Sequence, residues 1–299
     1  MQKPLDYIHK YPKRTKQLLG ISYEQFLQLV VQAKFRHEER QAALENSKKR
    51  VNAPGGGRKP KLCLEEEVCL CLFYLRQLPT FEVLGLHFGI SKTEANDTFH
   101  YWLEVLRELL PASVLEQVEN QFSDYEMVQE LLTEFELLVD STEQPRQRPR
   151  GQESQKKFYS GKKKKHTFKN QFIILPTGQD IVDVLVGKAG STSDITLLRE
   201  QQKRFAPEQK FKGDKGYIGE PHVATPHKKP KNRELSEMQK QENKVFSSSR
   251  IVIEHMIRLV KVFKVAQERF RLHPRIYQRV ISTVCGLVRL RIGALILPI

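Results

Sequence analysis

At Glu134 the spacing of apolar residues changes, and nothing else in the chain constrains its fold as tightly. Upstream, apolar positions recur at helical intervals; downstream they come in short runs of strand length broken by turn residues. An all-helical region is therefore followed by a mixed α/β region built around one sheet. In the downstream part, Phe135 to Val139 is a short apolar run ending at Asp140. Thr167 to Leu175 and Asp180 to Val186 read as a hairpin across Pro176-Thr177-Gly178. Ser193 to Arg204 reads as helix, Lys210 to Gly213 as a short strand delivering Asp214, and His222 to Pro226 as a further strand. Three helices follow, over 233–246, 251–271 and 276–297.

The upstream part carries explicit helix punctuation. Tyr23 to Lys34 places Phe26, Leu27, Val30 and Val31 on one face. Leu64 to Gln77 opens with Glu65, Glu66 and Glu67, acids suited to a helix N-terminus. Thr80 caps a short helix to Phe88, Gly89 supplies a turn, and Ser91 caps a longer helix that Pro111 ends. Short helix, glycine turn and longer helix form a helix-turn-helix pattern; ordinary helical packing gives the same pattern. Leu84, Leu86, Phe88 and Ile90 are expected between the helices, and Lys92, Thr93, Asn96 and His100 on the outer face of the second. Lys92 and Asn96 are then the candidate DNA contacts. Val114 to Leu132 reads as an acidic connecting helix. The resulting domain plan is a helical region over 1–52, a basic Gly/Pro linker over 53–60, the helix-turn-helix over 61–111, a connecting helix over 112–133, and a catalytic domain over 134–299.

Charge follows the same division. The chain has 50 Lys and Arg against 35 Asp and Glu, a net +15. Tyr101 to Glu143 holds eleven acids and one basic residue, whereas Arg146 to Lys169 holds ten basic residues and one acid. From Ile251 onward there are nine basic residues and two acids. Cations gathered in the C-terminal half suit a polyanion, and a phosphate backbone is the natural one. The Lys162-Lys163-Lys164-Lys165 run also has a plainer reading as a solvated loop. A membrane surface is disfavoured, because the most apolar stretch, Val280 to Ile299, is broken by Arg289 and Arg291, and the polar N-terminus has no signal-peptide core. A cytoplasmic, nucleoid-associated protein is expected. Cys63, Cys69 and Cys71 lack the usual zinc-ligand spacing and read as structural thiols.

Three acids stand out by context. Asp140 ends an apolar run. Asp214 sits in Gly213-Asp214-Lys215-Gly216-Tyr217, where glycines let a ligand approach the backbone. Glu254 interrupts the apolar Ile251–Ile257 segment. At about 100° per residue, Arg258 lies roughly 40° from Glu254 and Lys261 about 20° to the other side, one polar stripe opposite Met256, Leu259, Val260 and Phe263. Each acid alone also has a plain structural reading: a strand-end turn, a glycine-flanked turn and an i,i+4 surface pair. Together they suggest cations held between carboxylates for displacement at phosphorus.

These residues resemble the insertion-sequence DDE transposases of the group related to the eukaryotic Harbinger-type transposases. The resemblance covers Leu64 to Arg271. It rests on the helix-turn-helix at Thr80–Trp102, the Val139–Glu143 segment, the Lys162–His166 run and hairpin, Gly190-Ser191-Thr192-Ser193-Asp194, the Asp214 segment, and Glu254 with Arg258 and Lys261. The intervals of 73 and then 39 residues between the three acids are compatible with that family. The resemblance implies a ribonuclease H-like domain with Asp140, Asp214 and Glu254 as catalytic acids and ligands of two Mg²⁺ or Mn²⁺ ions. It implies cleavage of transposon ends in double-stranded DNA and transfer of their 3′-OH groups into target DNA. Lys162 to Lys165, Lys215, Arg258 and Lys261 are the expected phosphate contacts, and a homodimer or larger assembly is expected because two ends must be joined. Asp194 matches an acid often seen in the family, but Ser191-x-x-Asp194 also fits a capping box, so it stays outside the catalytic set. Glu143 is a spare. Ser193 stands where many relatives carry His. A catalytically silent DNA-binding protein and a metal-dependent endonuclease without strand transfer are the alternatives.

Overall fold

The computed structural model describes residues 3–47, 60–119, 122–230 and 234–297. Apart from Pro60, the expected linker at 53–60 lies outside the described residues. The chain forms two compact units. One takes the chain up to Leu110 together with 263–265 and the stretch from Gly286; the other comprises Pro111–Val262 and Ala266–Cys285.

The first unit is helical: α1 (Pro4–Lys10), α2 (Thr15–Leu18), α3 (Tyr23–Ser47), α4 (Leu64–Gln77), α5 (Phe81–Phe88) and α6 (Lys92–Leu109). Caps explain the boundaries. Thr80 Oγ1 accepts from Val83 N at 3.2 Å. Ser91 Oγ accepts from Glu94 N at 3.2 Å while Glu94 accepts from Ser91 N at 2.8 Å, a reciprocal box that starts α6. Gly89 takes the left-handed turn at φ 70°. A Cβ at Gly85 would stand 2.6 Å from Ile90 O, so only glycine lets the chain fold back there.

Leu84 and Phe88 are buried with Ala95, Phe99 and Trp102, as the helix-turn-helix reading requires. Leu86 is not: it is 68% exposed. Two residues on a helix are about 200° apart, so Leu86 points away from the face carrying Leu84. On α3 the buried set is Phe26, Leu29 and Ala33, while Leu27 and Val31 are exposed; the true stripe follows i, i+3, i+7. Cys69 and Cys71 are fully buried among apolar neighbours, and burial pushes both thiols up. Trp102 Nε1 donates to Glu67 at 2.8 Å, answering a carboxylate that burial raises.

The second unit contains α7 (Val114–Val118), α8 (Phe122–Leu132), β1 (Leu137–Pro145), α9 (Gln152–Phe158), β2 (Tyr159–Ser160), β3 (Lys165–Ile174), β4 (Ile181–Ala189), α10 (Asp194–Gln202), β5 (Phe211–Lys212), β6 (Val223–Ala224) and α11 (Glu237–Lys261). Then come α12 (Lys264–Gln267) and α13 (Tyr277–Ile292). β3 pairs antiparallel with β1, β2 and β4; β1 pairs parallel with β5, and β5 with β6. Antiparallel strands first and parallel strands after, with flanking helices, make a ribonuclease H-like mixed sheet. Leu137, Val139, Ile173, Val182, Leu198, Phe205, Phe211 and Tyr217 form its core, and Leu115 and Leu132 close it.

Three expectations change. The connecting helix at 112–133 is two helices, because Ser113 caps a short one that ends at Val118. The helices expected at 233–246 and 251–271 are one, α11, which stops at Lys261. No breaker separates the two segments, and the Ser247, Ser248 and Ser249 hydroxyls bond back to carbonyls of the preceding turn. The stretch from Gly286 groups with the first unit rather than with the rest of 134–299. A Cβ at Gly286 would stand 2.6 Å from Leu110 O, and Gln25 Nε2 donates to Leu290 O at 2.6 Å. Among the described residues, no helix is long and apolar enough to cross a membrane.

Candidate active site

Strand alternation sets the first carboxylate. Leu137 and Val139 of β1 point into the core, leaving Asp140 on the other face of the strand. The parallel register of β1 and β5 pairs Leu138 with Lys212. Continued by two residues, it puts Asp140 beside Asp214, just past the end of β5. The Asp214 side chain accepts from Gly216 N at 2.7 Å, starting the turn over Lys215–Tyr217. The flanking glycines serve this packing directly. A Cβ at Gly213 would stand 2.6 Å from the Tyr217 ring, and one at Gly216 would stand 2.8 Å from Asp214 Oδ1 and 3.0 Å from Asp194 Oδ2.

Asp194, set aside in the sequence, belongs to this group. The cap of α10 is Ser193, whose Oγ accepts from Thr196 N at 3.2 Å. Ser191 instead donates to Lys157 O, so the Ser191–Asp194 capping box does not form. Asp194 Oδ1 is free to accept from Ser141 Oγ of β1 at 2.5 Å and from Lys169 Nζ of β3 at 3.2 Å. Burial pushes the Asp140 carboxyl up to about 6; the Ser141 N–H and Arg250 oppose the rise, and Asp214 and Asp194 add to it. The same acids and deep burial raise Tyr217. A buried carboxylate beside two more needs nearby positive charge, and Lys169 and Arg250 supply part of it.

Asp140 opens into a groove of about 440 Å³ lined also by Glu143, Lys162, Lys163, Lys169, Asp194, Glu254, Arg258 and Lys261. α11 buries Ile253, Met256, Ile257 and Val260 and turns the expected stripe of Glu254, Arg258 and Lys261 into this groove. Burial and neighbouring Lys163 push the Lys261 ammonium down, while Asp140 supports it. Glu254 pairs with Arg250, one turn back, at 3.6 Å and not with Arg258. Among the described residues, no three Asp, Glu, His or Cys side chains are placed to hold one ion together. The donors themselves are carboxylate oxygens, the ligand type a hard divalent cation takes.

Of the other expected contacts, Lys164, Lys165 and Lys215 are exposed and do not line the groove. Lys92 is exposed and Asn96 half-buried in α6, where Asn96 donates to Asp97 at 3.2 Å. The residues missed in the sequence are Lys169, Ser141 and Arg250; Asp194 is visible there as a family-matching acid and set aside. Of the three missed, Lys169 has a local signal, a lysine inside a strand whose inner positions are buried.

The family model for DDE superfamily endonucleases matches residues 139–289, and the helix-turn-helix of DDE superfamily endonucleases matches residues 60–112. The chain is 31% identical over 266 residues to a protein of Microchaete diplosiphon described as a probable transposase for insertion sequence element IS702, covering 87% of each. No solved structure matches it. The matched segments begin and end around the features already described, the caps at Thr80 and Ser91 in one and β1 with Asp140 in the other, and the chain belongs to the DDE superfamily of endonucleases, among the insertion-sequence transposases.

Proposed function

We propose that the chain binds the ends of its insertion sequence, cleaves them, and joins the freed 3′-OH groups to target DNA. Asp140, Asp214 and Glu254 are the catalytic acids in this reading, and Mg²⁺ or Mn²⁺, two ions, is the cofactor. The observation that carries it is the parallel register that sets Asp140 beside Asp214, together with a groove in which Asp140, though not Asp214, meets Glu254 and four cations besides Lys169. Bound divalent ions supply activation of an oxygen nucleophile and stabilisation of the leaving oxygen.

The chain's own residues do the rest. Asp140 and Asp214 present oxygens from adjacent strands, and their mutual repulsion favours any cation that enters. Lys162, Lys163, Arg258 and Lys261 bind backbone phosphates across the groove. Lys164, Lys165 and Lys215 add attraction from outside it. The helix-turn-helix reads the ends through α6, with Lys92 and Asn96 as contacts. Two ends are handled at once, so the working form is a homodimer or larger.

A second reading is favoured by one observation. Glu254 is engaged by Arg250, which suits a DNA-binding protein that no longer reacts. End-bearing DNA with Mn²⁺ and a target plasmid separates the readings. Joined product supports transposition, cutting without joining supports an endonuclease, and binding alone supports the silent form.

A further inference from the structure

A second cavity, of about 510 Å³, lies away from the carboxylates and is lined by Arg148, Gln155, Lys156, Tyr159 and His166. Tyr159 and His166 face each other across the β2–β3 pair. Their rings meet edge to face with centroids 5.6 Å apart, and Tyr159 is 41% exposed. Arg148 donates to Gln155 Oε1 at 2.7 Å, and Gln155 donates on to Pro149 O at 3.1 Å, so the guanidinium is braced from behind. No acid lines the cavity. It therefore combines an open aromatic face with two cations, the chemistry of a planar ring carrying negative charge.

The cavity also has a route to it. The chain between Tyr159 and His166 includes the turn bearing Lys162 to Lys164, and Lys162 and Lys163 line the carboxylate groove. A strand whose phosphates cross those lysines is led to Tyr159. Bases in a duplex are stacked inside it and cannot reach a side-chain ring, whereas an unpaired base can. We infer that this cavity binds one unpaired nucleotide of a DNA strand engaged in the groove, with its base on Tyr159 and its phosphate on Arg148 and Lys156. The inference rests on the reading that the protein acts on DNA.

The test is equilibrium binding of the full chain to one duplex in two forms, blunt and carrying a three-nucleotide single-stranded tail, at fixed salt. For the native chain the tail should tighten binding about tenfold. Tyr159→Ala should remove that gain and leave blunt-duplex affinity within about twofold. Tyr159→Phe keeps the ring and should keep the gain. A native chain indifferent to the tail overturns the inference, as does a Tyr159→Ala chain that retains the gain or loses blunt and tailed binding equally. Those results leave DNA binding itself standing. Failure of the native chain to bind either DNA overturns the DNA reading, and this inference with it.

Discussion

Arg250 and Glu254 face each other at 3.6 Å, one turn apart on α11, and the same guanidinium opposes the burial-driven rise of the Asp140 pKa. One side chain thus pairs with one proposed catalytic acid and offsets part of the charge of a second. In the proposed reaction, bound divalent cations would take over that role.

Arg250→Ala should therefore tighten binding of Mn²⁺ to the DNA-free protein, because the ion no longer competes with a resident cation. Isothermal titration at low salt should show a several-fold lower Kd than for the native chain, a change of about 1 kcal/mol. Equal or weaker binding by the variant would mean that Arg250 takes no part in the cation site.

The Asp140 carboxyl makes stability depend on pH with a definite sign. Its folded-state pKa is about 6 against an ordinary 3.8. Between those values the folded chain holds a proton that the unfolded chain has lost, so stability falls as pH rises through that window, and above about pH 6 the whole cost is present. The shift corresponds to about 3 kcal/mol. Asp140→Asn cannot ionise. In EDTA it should melt near the native chain at pH 4 and several degrees above it at pH 7.5. Melting curves that run parallel across this range would contradict the placement of Asp140.

Gly85→Ala tests the turn of the helix-turn-helix. The added Cβ would stand 2.6 Å from the Ile90 carbonyl, and the nearest atoms it meets, in Ile90 and Ser91, are all backbone and cannot swing aside. Strain of about 1–3 kcal/mol outweighs the gain in helix propensity of about 1 kcal/mol. Lower thermal stability by circular dichroism and weaker binding to end-bearing DNA are expected. Native-like binding would show that the α5–α6 turn does not position the recognition helix.

What could be read in the sequence was local. Thr80, Gly89 and Ser91 set the α5–α6 turn through contacts within three or four residues, and each is where its residue type implies. The Glu254–Arg258–Lys261 stripe is likewise a matter of helical geometry. Asp194 was seen but set aside, because its partners Ser141 and Lys169 approach from two different strands. Its apparent capping partner, Ser191, is taken by Lys157. Leu86 was misplaced because apolar identity was read without its angle on the helix. The polar and the apolar parts of α11 read as separate helices; they are continuous through Ser247, Ser248 and Ser249, whose hydroxyls satisfy the helix's own carbonyls.

The central claim is that Asp140, Asp214 and Glu254 act as one catalytic centre on DNA, and strand joining measures it most directly. Purified native chain, Asp140→Asn, Asp214→Asn and Glu254→Gln are each given labelled DNA bearing the element's ends, Mn²⁺ and a target plasmid, with DNA binding followed in parallel. The account predicts joined product from the native chain alone and comparable DNA binding by all four. Joined product from Asp140→Asn would contradict it.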